Sequence, residues 1–109
     1  MRIVKLPKPL EFEWDDGNQK KIYDKHRIII YEAERAFANQ HLFWFDEKHS
    51  HFEERYNLLG ANSLGEILFI TFTTRNSKIR IISARPADKR ERETYDKEAE
   101  KNSKIQNRR

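Results

Sequence analysis

The run Ile67-Leu68-Phe69-Ile70-Thr71-Phe72-Thr73-Thr74-Arg75-Asn76-Ser77-Lys78-Ile79-Arg80-Ile81-Ile82-Ser83-Ala84 decides the fold. Branched and aromatic side chains alternate with polar ones on either side of a short polar break, the pattern of two half-buried strands joined by a tight turn. Pairing across Asn76-Ser77 sets Thr73 opposite Arg80 and Phe72 opposite Ile81. One face of the hairpin then carries Leu68, Ile70, Phe72, Ile79 and Ile81, a plain core face. The other carries Ile67, Phe69, Thr71, Thr73, Arg80 and Ile82, and a face of that mixed kind can hold a groove. A further strand over Glu54 to Leu59, joined through the turn Gly60-Ala61-Asn62-Ser63-Leu64-Gly65, makes the unit an antiparallel meander, because short connections leave neighbouring strands antiparallel.

Upstream, Leu10-Glu11-Phe12-Glu13-Trp14 alternates apolar and polar as a half-buried strand does. Asp15-Asp16-Gly17-Asn18 is a turn-and-cap cluster that starts a helix running to about Lys25. Ile22 and His26, four residues apart, share one of its faces. Glu32 to Ala38 reads as a second short helix with Ile29, Ala33, Ala36 and Phe37 inward. Leu42 to Phe45 is a short buried strand, followed by the polar loop Asp46 to His51. Downstream, Asp88 and Glu91 stand at capping-box spacing and open a last helix to about Lys101. Tyr95 is its only large apolar anchor, so it is expected to dock weakly. Residues 1–9 read as a loose arm and 102–109 as a frayed tail. The expected fold is one α+β domain over residues 1–109: a small antiparallel sheet (a meander of three strands plus one or two N-terminal strands) with two N-terminal helices and a C-terminal helix.

Composition excludes several classes. The 109 residues hold no cysteine, which removes disulfides, thiolate metal sites and a cysteine nucleophile. No run of 18 apolar residues exists, so no membrane-spanning helix is expected, and the first residues lack the apolar core of a secretory signal. A cytoplasmic protein is the simplest expectation. Charged residues make up 37% of the chain, yet seven Phe, four Tyr and two Trp are more aromatic surface than a disordered chain carries.

The net charge of +4 is unevenly placed. Residues 32–54 hold six carboxylates against Arg35 and Lys48, whereas residues 75–90 hold six basic side chains against Asp88 alone. A basic cluster on a rigid scaffold neutralises phosphates better than a scattered excess. Arg75, Arg80 and Arg85, with Thr73, Thr74 and Ser83 among them, place guanidinium forks on or beside one sheet, and such forks suit phosphate oxygens. For Arg80, a buried pair with Glu54 is the competing structural role, and Glu54-Arg55 is open to a similar cross-strand reading. His26 follows Lys25 at a helix end, placed either for proton transfer near neutral pH or for packing beside Ile22. Tyr95 is either a docking anchor or an active group. A phosphate-binding glycine loop is excluded, since Gly17, Gly60 and Gly65 open no such pattern. His49 and His51 have no standard metal-ligand spacing to nearby carboxylates.

Taken in order, these residues resemble the BrnT family of type II toxin–antitoxin ribonucleases, over about residues 12–95. The resemblance rests on Phe12-Glu13-Trp14-Asp15, Gly17-Asn18, Lys21, Lys25-His26, Glu32-Ala33-Glu34, Phe37, His49-Ser50, Glu54-Arg55-Tyr56 and Gly60. Its strongest block is Phe72-Thr73-Thr74-Arg75, Ile79-Arg80-Ile81-Ile82-Ser83-Ala84-Arg85, Glu91-Arg92 and Tyr95. Members often have Lys-His-Gly after the first helix, and Arg27 stands here in place of that glycine. Some also have Lys and Asn in the first helix where this chain has Asn18 and Ile22.

The resemblance implies a small endoribonuclease, similar in fold to the RelE superfamily, that needs no metal or other cofactor and inhibits translation by cutting RNA. It also implies a BrnA-like antitoxin with a ribbon-helix-helix domain, a toxin–antitoxin heterotetramer, and operator DNA met only through the antitoxin. The catalytic residues it points to are Lys25, His26, Arg55, Arg75, Arg80 and Tyr95, with Arg75, Lys78, Arg80 and Arg85 holding RNA. Two alternatives share the arginines: a basic module that binds nucleic acid without cutting, and an interaction protein, or inactive toxin, whose groove only receives the antitoxin.

Overall fold

The computed structural model describes residues 6–107. Their elements are α1 (Asp16–His26), α2 (Ile30–Ala38), β1 (His41–Phe45), a 3-10 turn (Glu47–His49), β2 (Tyr56–Ala61), β3 (Ile67–Arg75), β4 (Lys78–Pro86) and α3 (Lys89–Asn107). The strands form one antiparallel sheet in the order β1-β2-β3-β4, so the expected α+β architecture holds, with a single strand before the meander.

The β3–β4 hairpin closes through Asn76 and Ser77, with φ of 52° and 63°. Both are left-handed, as the mirror-image two-residue turn requires, because its twist matches that of the strands it joins. Thr73 pairs with Arg80 and Phe72 with Ile81, the register expected from sequence. One residue further the register slips, since Thr71 pairs with Ser83. Ile82 is therefore the extra residue of a β-bulge rather than a member of the outer face.

The inner face carries Leu58, Ile70, Phe72, Ile79, Ile81 and Ala84, all buried, against Ile22 of α1 and Ala33, Ala36 and Phe37 of α2. The Phe37 ring meets Phe12 and Phe72 edge-on at 5.3 and 5.0 Å. At Gly60 a Cβ would lie 2.3 Å from the Ala36 carbonyl oxygen, so glycine is what lets α2 rest directly on β2. Ile29, expected inward, is 49% exposed; it is the residue that precedes α2, and the inward place goes to Ile28.

Other expectations change. Leu10 to Trp14 does not form a strand: Phe12 makes one bridge to Ile79, with hydrogen bonds from Glu13 N–H to the Ile79 carbonyl (2.8 Å) and from Ile79 N–H to the Glu11 carbonyl (2.7 Å). The segment then turns into α1 at Asp15, whose carboxylate caps Asn18 N–H, and a strand has no room to continue. β2 runs through Gly60 and Ala61, leaving residues 62–65 as the turn. Helix α3 extends to Asn107, beyond the expected end at Lys101. Of the arm at 1–9, Leu6 packs against the main core, while residues 1–5 and 108–109 lie outside the described residues.

Helix α3 covers only part of the outer face. Tyr95, Ala87 and Ala99 pack on Leu59, Leu42, Ile67 and Phe69. Its first turn is fixed by the expected Asp88/Glu91 capping box and by a bidentate pair, with Arg85 donating to both Glu91 oxygens at 2.7 and 2.8 Å. The Arg85 guanidinium also lies 4.3 Å over the Phe69 ring. The helix is thus better anchored than Tyr95 alone implied.

The Arg85 hydrogen bonds, foremost, hold the Glu91 carboxyl below its ordinary value of 4.5. A carboxylate depressed in this way contributes its stability above that ordinary value and loses it as pH falls through the folded value. Glu91→Gln keeps the cap, since Gln serves at that position. It is expected to cost about 0.5–1 kcal/mol at neutral pH, the range for a partly exposed pair. The difference from wild type should shrink below about pH 4.5 in urea titrations; a difference constant from pH 7 to pH 3 would contradict the assignment.

Candidate functional site

Helix α1 lies alongside β4, the edge strand of the sheet. The Asn18 side-chain amide donates to the Ile81 carbonyl (3.0 Å) and holds the start of the helix against the bulge. Two adjoining depressions follow the seam between them. The first is lined by Asp15, Gly17, Asn18, Lys21, Glu53, Arg55, Arg80, Ile81 and Ile82. The second shares Lys21 and Ile82 and adds Ile22, Lys25, His26, Ser83, Ala84 and Arg85. Lys21 and Lys25, one turn apart, form a cationic ridge along the helix. His26 sits half-buried at its end, and Ile22 beneath is buried.

Arg27 ends α1 with φ of 58°, donating its N–H to the Tyr23 carbonyl. It accepts the left-handed conformation that glycine adopts freely, and its guanidinium lies 5.3 Å from the Tyr23 ring centre. Arg27 thus closes the helix from the position where glycine was expected, and His26 is its last residue.

The expected convergence of arginines is only partial. Arg55 and Arg80 meet in the first depression. Thr73 lies between their strands, opposite Arg80 and donating its hydroxyl to the Glu54 carbonyl at 2.7 Å. Arg80 pairs not with Glu54 but with Asp15 (2.6 Å) and Glu13 (3.3 Å), both contributed by the segment before α1. Asp15 as hydrogen-bond partner raises the Arg80 pKa, and Arg80 in turn, with Asn18 N–H, holds Asp15 below its ordinary value. Both groups remain charged at neutral pH.

Arg75 lies at the hairpin end and pairs with Glu53 (3.1 Å), which also stands 3.9 Å from Arg55. A single carboxylate thus joins Arg75 to the cleft wall. Lys78, opposite Arg75 in the hairpin, is exposed and does not line the seam. Arg85 lines the second depression with its guanidinium committed to Glu91.

Tyr95 stands apart. It is 8% exposed in the cluster beneath α3, and its hydroxyl donates to the Gln40 carbonyl at 3.0 Å. Burial, then the Asp96 charge, pushes its phenol above 10. His49 is held by Asp46 at 3.0 Å, and among the described residues no three histidine or carboxylate side chains gather as metal ligands.

Sequence reasoning did not give Lys21 a role, although its spacing to Lys25 places both on one helix face. Glu13, Asp15 and Glu53 were also missed as partners of the arginines; the Arg80 pairs span 67 and 65 residues, and nothing local announces them.

The chain is thus an α+β protein of three helices and one four-stranded antiparallel sheet, with Lys21, Lys25, His26, Arg55 and Arg80 lining adjoining depressions where α1 meets β4. The profile described as "Ribonuclease toxin, BrnT, of type II toxin-antitoxin system" matches residues 14–91, and the chain belongs to that family. Among solved structures, the 1.1 Å crystal structure of the Brucella abortus ribonuclease toxin, BrnT, is similar with a TM-score of 0.54 and 18% identity. The match covers 73% of this chain and 99% of that one, and it establishes a shared fold. No curated protein matches the chain. Among the described residues no helix is long and apolar enough to cross a membrane.

Proposed function

We propose that the chain is a metal-independent endoribonuclease that cuts RNA in the α1–β4 seam, inhibiting translation in the cytoplasm. A BrnA-like ribbon-helix-helix antitoxin neutralises it in a heterotetramer that represses the shared operon, touching DNA through the antitoxin. The observation that carries this reading is the seam itself, where Lys21, Lys25, His26, Arg55 and Arg80 line adjoining depressions.

Cleavage without a metal has the ribose 2′-oxygen lose its proton and attack phosphorus while the 5′-oxygen leaves and gains one. Charge builds on the non-bridging oxygens in between. Arg80 meets that charge: Glu13 and Asp15 each take one N–H of its five donors, and the rest are available to phosphate. Arg55, just before β2 and across β3 from Arg80, supports it, as does Lys21 from the helix. His26 moves the proton, with Lys25 assisting. Arg75 acts through Glu53, Lys78 and Arg85 add charge for RNA, and Tyr95 serves as the anchor of α3.

With EDTA present, the purified chain should cut single-stranded RNA, and His26→Ala should lower kcat about 10²-fold, the lower range for a positioned proton-transfer group. Unchanged cleavage by a folded His26→Ala protein would remove His26 from the mechanism. A second reading is favoured by one observation: Arg55, Arg75, Arg80 and Arg85 all face internal carboxylates. It is a partner-binding module that has no nuclease activity. RNA binding without fragments, and induction in cells without growth arrest, would select it.

A further inference from the structure

We propose that Trp44 is a stacking platform for a nucleobase of the RNA whose phosphate lies on Arg55 and Arg80. This rests on the RNA-cleaving reading above and adds a substrate contact to it. Strand pairing lines up Trp44, Asn57, Thr71 and Ser83 in one row across all four strands. Successive residues of a strand point to opposite faces, so this row lies on the outer face, opposite Phe43, Leu58, Ile70 and Ala84.

The neighbouring row toward α3 is Leu42, Leu59, Phe69 and Arg85, and the helix covers it. The neighbouring row on the other side holds Thr73 and Arg80, with Arg55 one residue before β2. Trp44 thus stands between the roofed half of the face and the arginines. Strand spacing puts its Cα about 8 Å from that of Arg55, one strand across and two residues along. That is within the span of one nucleotide's base and phosphate.

The indole is held rather than loose. Its ring meets Phe69 edge-on at 6.0 Å and 65°, and Phe69 is itself capped by the Arg85 guanidinium. Even so, Trp44 remains 39% exposed, a large apolar surface open to water on a face otherwise furnished with the Asn57 amide, hydroxyls, guanidinium groups and the Asp46 carboxylate, which is engaged by Asn57 and His49. An aromatic ring packed against a neighbour yet partly open to water, beside cations that take phosphate, is the combination by which proteins hold single-stranded nucleic acid. Every base has a π-face, so the contact orients the strand and ranks bases by stacking strength.

The test uses a short single-stranded RNA, made uncleavable by 2′-O-methyl groups, and a copy with one abasic position moved along it. Trp44→Leu should weaken binding about 5- to 150-fold, the range for one lost base stack, and Trp44→Phe should recover most of it. For wild type, one abasic position should cost a similar factor; in Trp44→Leu that same position should cost almost nothing. A purely structural role for Trp44 would leave the abasic penalty unchanged, and that result overturns the proposal, as does Trp44→Leu binding at wild-type affinity. Tyr31→Leu, an exposed aromatic on α2, should bind as wild type; an equal loss there overturns it too. Wild type that cuts RNA while Trp44→Leu is unaltered removes the platform alone. Wild type that neither binds nor cuts removes the parent reading with it.

Discussion

Arg80→Ala is expected to lower RNA cleavage by about 10²–10³-fold, the loss typical when one preorganised donor to a developing negative charge is removed. The size of the effect has two parts. The substitution deletes the cation in the centre of the seam, and it leaves Glu13 and Asp15 facing the cleft without their partner. The incoming phosphate then meets two carboxylates where it had met a guanidinium. Arg80→Lys should recover only a small share, because an ammonium cannot engage two acids and a phosphate in one plane. Asp15→Asn gives the opposite test. Asparagine still caps α1, so the helix start is preserved. Arg80 is freed from its shorter bond, and RNA should bind more tightly at low salt. Kinetics under single-turnover conditions, with far-UV circular dichroism to verify folding, separate these outcomes. A folded Arg80→Ala protein with wild-type cleavage would place the chemistry elsewhere.

Phe37→Ala is expected to remove about 3–5 kcal/mol of stability, the range for truncating a buried phenylalanine. Phe37 is 1% exposed and touches the N-terminal segment through Phe12 and the sheet through Phe72. Its neighbours Ala33 and Ala36 are pinned against the sheet, Ala36 by its contact over Gly60, so α2 has little freedom to settle into the space left behind. Domains of this size hold about 5–15 kcal/mol in total, so the variant should be largely unfolded well below the wild-type urea midpoint. Phe37→Leu retains most of the volume and should lose far less. A Phe37→Ala midpoint close to wild type would mean the three-ring stack does not organise the core.

Much of this fold is legible in the sequence because its signals are local. The hairpin register follows from alternation and from Asn76-Ser77, the α3 cap from Asp88 and Glu91, and α1 from Asp15. What escaped depends on contacts distant in the chain. Leu10 to Trp14 alternates like a strand, yet the edge it approaches accepts one bridge before the chain turns. Ile29 and Ile28 are indistinguishable by composition, and only the start of α2 decides which is covered. The seam follows the same rule. Lys21, Lys25 and His26 were findable from helical spacing, and Arg55 and Arg80 from their strands. That carboxylates would hold every one of the four arginines is set by tertiary placement. The same placement removes Tyr95 from the cleft.

The extra residue in β4 has one more effect. Arg80 and Arg85 are separated by an odd number of steps, so in an unbroken pleat they would project to opposite sides, and one charge would be driven into hydrocarbon. Ile82 absorbs the odd step. Both guanidinium groups emerge on the same side, and Ile81 and Ala84 both remain inside. Deleting that isoleucine would leave a regular pleat with the same residues on each side, whereas flattening the bulge with the isoleucine kept would exchange the wet and dry sides of everything beyond it as far as Pro86.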